Sequence, residues 1–250
     1  MEQNDIDNLN DRTGRKFRII KDNDKFFASY NKVTKMCREG FTFPIHPFEI
    51  VRLSEVLNIT PEQFCEENTN IVFEPEENVP CFIMNINSGC KFAKEYECCL
   101  GRDKPGVCAY TPLSKMNGIS KNDENKVETL FLIDDNNVNL GDKEYTLKEW
   151  LHINGLEKES YENEQYFLFL FKLLKIVDFK VFKDESVKYD DLKDEHKAFI
   201  QKYYLYKILT TYKTDFTNKE VDELLNGILK FYTEFVMEFP KYKASDFEEK

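Results

Sequence analysis

The chain has 250 residues, 41% of them hydrophobic, and carries 46 acidic against 35 basic side chains for a formal net charge of -11. This apolar content is enough for a sizeable core in one large domain or two small ones. The acidic balance opposes contact with nucleic-acid phosphates and anionic lipid surfaces, so no nucleic acid and no membrane is expected among the partners.

Residues 1–24 are polar, rich in Asn and Asp, and lack the basic region and apolar run of a secretory signal, so they are expected to form a flexible arm. From Pro44 the pattern becomes helical. In PIHPFEIVRLSEVLNI, Ile50, Leu53, Val56 and Leu57 recur at helical spacing, and Pro47 suits a first turn. A second helix is predicted at once in TPEQFCEEN, with Thr60 as N-cap, Pro61 at the first helical position and Gln63 as capping-box partner.

Residues 81–108, CFIMNINSGCKFAKEYECCLGRDKPGVC, hold five of the seven cysteines. Asn-Ser-Gly, Gly101 and Lys104-Pro105-Gly106 interrupt this stretch, which reads as loops between short elements. VETLFLI (127–133) has the composition of a strand, and the Asn-rich run ending in LGDKEY predicts a turn and a second short strand. TLKEWLHINGL opens with a Thr146 to Glu149 capping box and ends near Gly155. Helices are predicted over about 162–182, 190–213 and 217–238, the last opened by a Thr217 to Glu220 box.

The expected fold is α+β and predominantly helical. A loop-rich cysteine segment with a small β-hairpin is flanked by N-terminal helices and by a C-terminal antiparallel helical layer. The division is a flexible arm (1–24), a cysteine-cluster domain (25–160) and a C-terminal helical region (161–250), which is either separate or a cover over the cysteine segment. The most apolar stretch, YFLFLFKLLKIVDFKVF (166–182), is broken by Lys172, Lys175, Asp178 and Lys180 and is too short and too charged to span a bilayer. A cytoplasmic location is therefore expected.

In a reducing compartment, clustered cysteines serve as metal ligands or redox groups more often than as disulfides, and an odd total argues against a closed disulfide framework. Thiolates bind zinc or iron–sulfur clusters because sulfur is soft and charged. The intervals between Cys81, Cys90, Cys98 or Cys99, and Cys108 are longer than the C-x-x-C knuckles of zinc fingers, so spacing alone does not choose the metal.

Cys81-Phe82-Ile83, Ser88-Gly89-Cys90, Cys98 with Leu100-Gly101, Lys104-Pro105, Cys108 and Pro112-Leu113 together resemble the YkgJ-type cysteine-cluster family, described as zinc- or iron-chelating proteins. Cys37 with the helical pair after it, and the Trp-Leu pair of TLKEWLHINGL, extend the likeness over about residues 25–160. The resemblance implies a thiolate site drawn from Cys37, Cys81, Cys90, Cys98 or Cys99, and Cys108, with family spacing favouring Cys98 over Cys99. It also departs from the family. SYNKVTKMCREG keeps one cysteine where members carry a tight knot, and Asn136 and Asn137 stand where a further cysteine is common. The implied set still suffices for one four-coordinate site. Some family members are flagellin lysine methylases, which makes a methyl-transfer step a conceivable alternative, although no Gly-rich methyl-donor loop is present.

Other chemistry finds little support in the sequence. Cys65 follows Phe64 on a predicted helix and reads as a small core residue. His46, His152 and His196 show no metalloprotease spacing; His46 is placed to cap the first helix or to approach Cys37. No catalytic motif for nucleotide, dinucleotide or hydrolase chemistry occurs. The acidic runs DNDK, EPEEN and DFEEK lack EF-hand periodicity and read as solvated loops and tails. The leading expectation is a metal-binding protein holding zinc or an iron–sulfur cluster. Its protein partner is unknown, and the alternative is a metal-free interaction module on the same scaffold.

Overall fold

A computed structural model of the chain describes residues 3–30, 32, 35–73, 80–86, 89–135, 141–176 and 194–238. Among the described residues the fold is α+β, with helices outweighing strands gathered in small antiparallel sheets.

The elements nearest the cysteine segment follow from local chemistry. β3 (Phe41–Ile45) and β5 (Pro80–Ile86) pair with Phe41 opposite Ile86 and Ile45 opposite Phe82, and β4 (Thr69–Phe73) pairs on the other edge of β5. Phe82, Met84 and Ile86 alternate along β5 and are buried, as period-two geometry requires of a strand covered on one face. α3 (Pro47–Leu57) starts at a capping box in which His46 Nδ1 accepts from the Glu49 N–H and the Glu49 carboxylate accepts from the His46 N–H. Pro47 stands in the first turn as read from the sequence, while the pattern's beginning at Pro44 is spent in β3 opposite Ile83. α4 (Pro61–Asn68) has the Thr60–Gln63 box read from the sequence.

A second sheet joins β1 (Phe17–Ile20), β9 (Val127–Asp134) and β8 (Ser114–Ile119), in the order β1-β9-β8. The flexible arm expected over residues 1–24 therefore contains structure. It holds α1 (Gln3–Thr13), where Ile6 is fully buried, and β1, where Ile20 is 2% exposed and pairs with Phe131. Its polar composition hid these few apolar anchors. β10 (Lys143–Thr146) pairs not with the preceding strand β9 but with β2 (Lys25–Ala28). The hairpin in the cysteine segment is instead the short β6 (Ala93–Lys94) and β7 (Glu97–Cys98).

Two apolar cores organise these pieces. One gathers Phe26, Tyr110, Phe131, Tyr145 and Leu156 around Trp150, which is 1% exposed on α6 (Leu147–Ile153) and donates its indole N–H to the Tyr110 carbonyl at 3.2 Å. The other packs β3, β5 and α3 against α7 (Leu156–Ile176), α8 (Asp194–Thr211) and α9 (Asn218–Glu238). Tyr166, Phe169 and Leu173 form the inward stripe of α7, and Val221, Leu225, Ile228 and Tyr232 that of α9, each at helical spacing. The C-terminal helices thus share a core with the cysteine-bearing half. The predicted stretches 177–182 and 190–193, and Asn136 and Asn137, lie outside the described residues. No helix among the described residues is long and apolar enough to cross a membrane.

Candidate metal centre

Four cysteines reach one region from four separate stretches. Cys37 lies on the one-turn helix α2 (Lys35–Glu39), and its carbonyl accepts the Cys90 N–H at 2.7 Å. Gly89 makes this approach possible. Its φ of 109° is a conformation that side-chain-bearing residues rarely adopt, and a Cβ there would meet the Arg38 carbonyl at 3.4 Å. The Cys90 carbonyl then accepts from the Ala93 N–H, and Ala93 stands opposite Cys98 across β6 and β7. The isolated bridge between Lys32 and Glu97 ties the segment before α2 to β7. Cys108 follows on the short helix α5 (Gly106–Tyr110), where its N–H donates to the Pro105 carbonyl at 2.9 Å.

Burial pushes the Cys108 thiol far above its ordinary value, and negative charge on Cys37, Cys90, Cys98 and Glu49 would push it further. Cys90 is raised by burial, with Cys37 and Cys99 adding to the rise, and Cys98 by burial, with Cys90 and Cys99 adding. Each thiolate therefore penalises the next, and the group can ionise together only beside compensating positive charge. One such charge is near. Lys104, 7% exposed, has its ammonium pushed down by burial and pulled up by Cys98, Cys108 and Cys37, and it lies 5.3 Å from the Tyr30 ring centroid.

The remaining expected ligands stand differently. Cys99 neighbours the group but is exposed. Cys81 lies at the start of β5, where its charge is felt by Tyr166 and Tyr204. Cys65 packs against the larger core, and burial raises its thiol to about 11. No three cysteine sulfurs among the described residues lie within 4.8 Å of one another. Four sulfurs around one zinc ion would be about 3.8 Å apart, from bonds of about 2.3 Å.

Sequence reading missed three participants. Lys104 was visible only as part of a motif. Glu49 lies within the predicted first helix and Glu159 just before the helix predicted from 162, and neither stood out there, yet both are buried beside Cys108's helix. His46 takes the capping role rather than a place beside Cys37. His152 is exposed and contacts Glu157. Comparison with known protein families, with characterised proteins and with solved structures found no match to the chain.

Proposed function

We propose that the chain is a metal-binding protein in which Cys37, Cys90, Cys98 and Cys108 hold a zinc ion or an iron–sulfur cluster. One observation carries this reading: the Cys90 N–H bonds the Cys37 carbonyl at 2.7 Å, Cys98 pairs with Ala93 beside them, and Cys108 on α5 lies within reach of charge on all three. Protonated, these thiols are compatible with their burial. Ionised, they require a cation, and metal binding supplies it while releasing their protons. The likeness of residues 81–113 to the YkgJ-type family leads to the same chemistry. Thiolate ligands also persist best where thiols stay reduced, which supports a cytoplasmic location.

Lys104, whose ammonium burial disfavours, would then be held charged by an anionic centre beside it. Its ammonium stabilises the sum of thiolate charge more than any single thiolate, since all three neighbours pull its pKa upward.

Metal analysis and visible absorption of chain purified without oxygen test the proposal. Bound iron with visible absorption identifies the cluster, and colourless, zinc-loaded chain identifies zinc. Cys98→Ser and Cys108→Ser are expected to lose most of the metal, and Cys65→Ser and Cys99→Ser to retain it. Chain that holds neither iron nor zinc overturns the reading and leaves the metal-free interaction module.

A further inference from the structure

A second group of ionisable side chains lies beside the cysteine centre and is not used by it. His46, Glu49 and Glu159 are 7%, 4% and 3% exposed, and each brings one donor atom within 4.8 Å of the other two. His46 Nε2 stands 3.3 Å from Glu49 Oε2 and 3.6 Å from Glu159 Oε1, yet it is aligned for a hydrogen bond with neither and has no partner. A buried nitrogen left this way has lost its water and gained nothing in return.

The surroundings fix both carboxylates so that one oxygen of each faces the imidazole. The Gly106 N–H donates to Glu49 Oε1, and the Tyr110 hydroxyl donates to Glu159 Oε2. Gly106 is what lets the carboxylates meet, since a Cβ there would strike the Glu159 carboxylate and come within 3.2 Å of Glu49 Oε1. Lys115 directs its ammonium to the Ser160 hydroxyl and carbonyl.

We propose that these residues form a second, buried site for one divalent transition-metal ion, ligated by His46 Nε2, Glu49 Oε2 and Glu159 Oε1. Donors placed about 2.1 Å from a tetrahedral ion lie about 3.4 Å apart, which the observed 3.3 and 3.6 Å match. One nitrogen and two carboxylate oxygens suit manganese, iron or zinc, and two carboxylates balance a 2+ charge. The hydroxyl and backbone donors behind the carboxylates are the outer support that orients metal ligands. Ligation through Nε2 places the imidazole proton on Nδ1 and gives up the long 3.4 Å cap from the Glu49 N–H. The Glu49 N–H keeps its 3.0 Å bond to the His46 carbonyl, so the backbone donor at the start of α3 stays satisfied.

Manganese(II) added to the full chain is the probe, because it prefers oxygen and nitrogen ligands to thiolates and so reports on this site rather than the cysteine centre. Its free electron-paramagnetic-resonance signal should fall by one equivalent per chain, in the unaltered protein and in Cys98→Ser alike. Glu159→Gln and His46→Asn should each weaken binding at least tenfold. Asn keeps a capping oxygen for α3 while removing Nε2, so His46→Asn decides the question alone if Glu159→Gln does not fold. Absence of binding at millimolar manganese, or unchanged binding in folded His46→Asn, overturns the proposal. Because the cysteine centre is read by the iron or zinc that Cys108→Ser loses and His46→Asn keeps, either site can fail without the other.

Discussion

Gly106 separates what a residue does by its side chain from what it does by lacking one. Its N–H meets Glu49 while its Cα passes against Glu159, so the first residue of α5 serves two carboxylates from different helices. Gly106→Ala is expected to destabilise the protein by about 1–3 kcal/mol through overpacking, read as a lowered urea midpoint with unchanged slope. An unchanged midpoint would mean that Glu159 swings aside freely, which its bond to Tyr110 opposes. In the sequence, Lys-Pro-Gly announced only a turn. That this turn abuts two acids more than fifty residues away on either side depends on tertiary contacts that no local pattern encodes. The cysteines were easier to read, because residue type alone carries their chemistry. Which of Cys98 and Cys99 turns inward depended on the β6 and β7 pairing that puts Cys98 opposite Ala93.

At the scale of elements, legibility follows whether the deciding interaction is local. The Thr60, Thr146 and Thr217 boxes were read correctly because the two partners are three residues apart and the hydrogen bonds close within one turn. At α6, the Thr146 N–H donates to Glu149 Oε2 at 2.8 Å and the Glu149 N–H to Thr146 Oγ1 at 3.3 Å. Thr146→Ala should therefore cost about 1 kcal/mol of stability by denaturant titration, and Thr146→Ser little. A loss as small as for Ser would show that β10, which ends at Thr146, fixes the helix start by pairing alone. Strand partners were not legible. β10 finds β2 more than a hundred residues earlier, and β9 finds β1 in a segment whose polar composition concealed Phe17, Ile19 and Ile20.

For the whole molecule, α7 is the connecting element. Leu156 enters the core around Trp150, and Tyr166, Phe169 and Leu173 enter the core that supports the cysteine segment, with Glu159 between them at the buried carboxylate site. The boundary drawn at residue 160 from sequence falls inside this helix. The helical pattern of 162–176 was clear, but the first turns carry Glu157, Lys158 and Glu159 and look solvated until the structure buries Glu159. A continuous helix across two cores predicts that damage in one is felt in the other. Leu173→Ala removes a fully buried side chain and should cost about 2–5 kcal/mol. The chain's single tryptophan, Trp150, lies in the opposite core, so its fluorescence reports whether the loss is transmitted. Fluorescence and far-ultraviolet circular dichroism should move to the same lowered midpoint in urea, as one cooperative unit requires. A tryptophan transition left in place while the helical signal moves would divide the molecule into two folding units, with the metal-bearing half resting on the C-terminal helices alone.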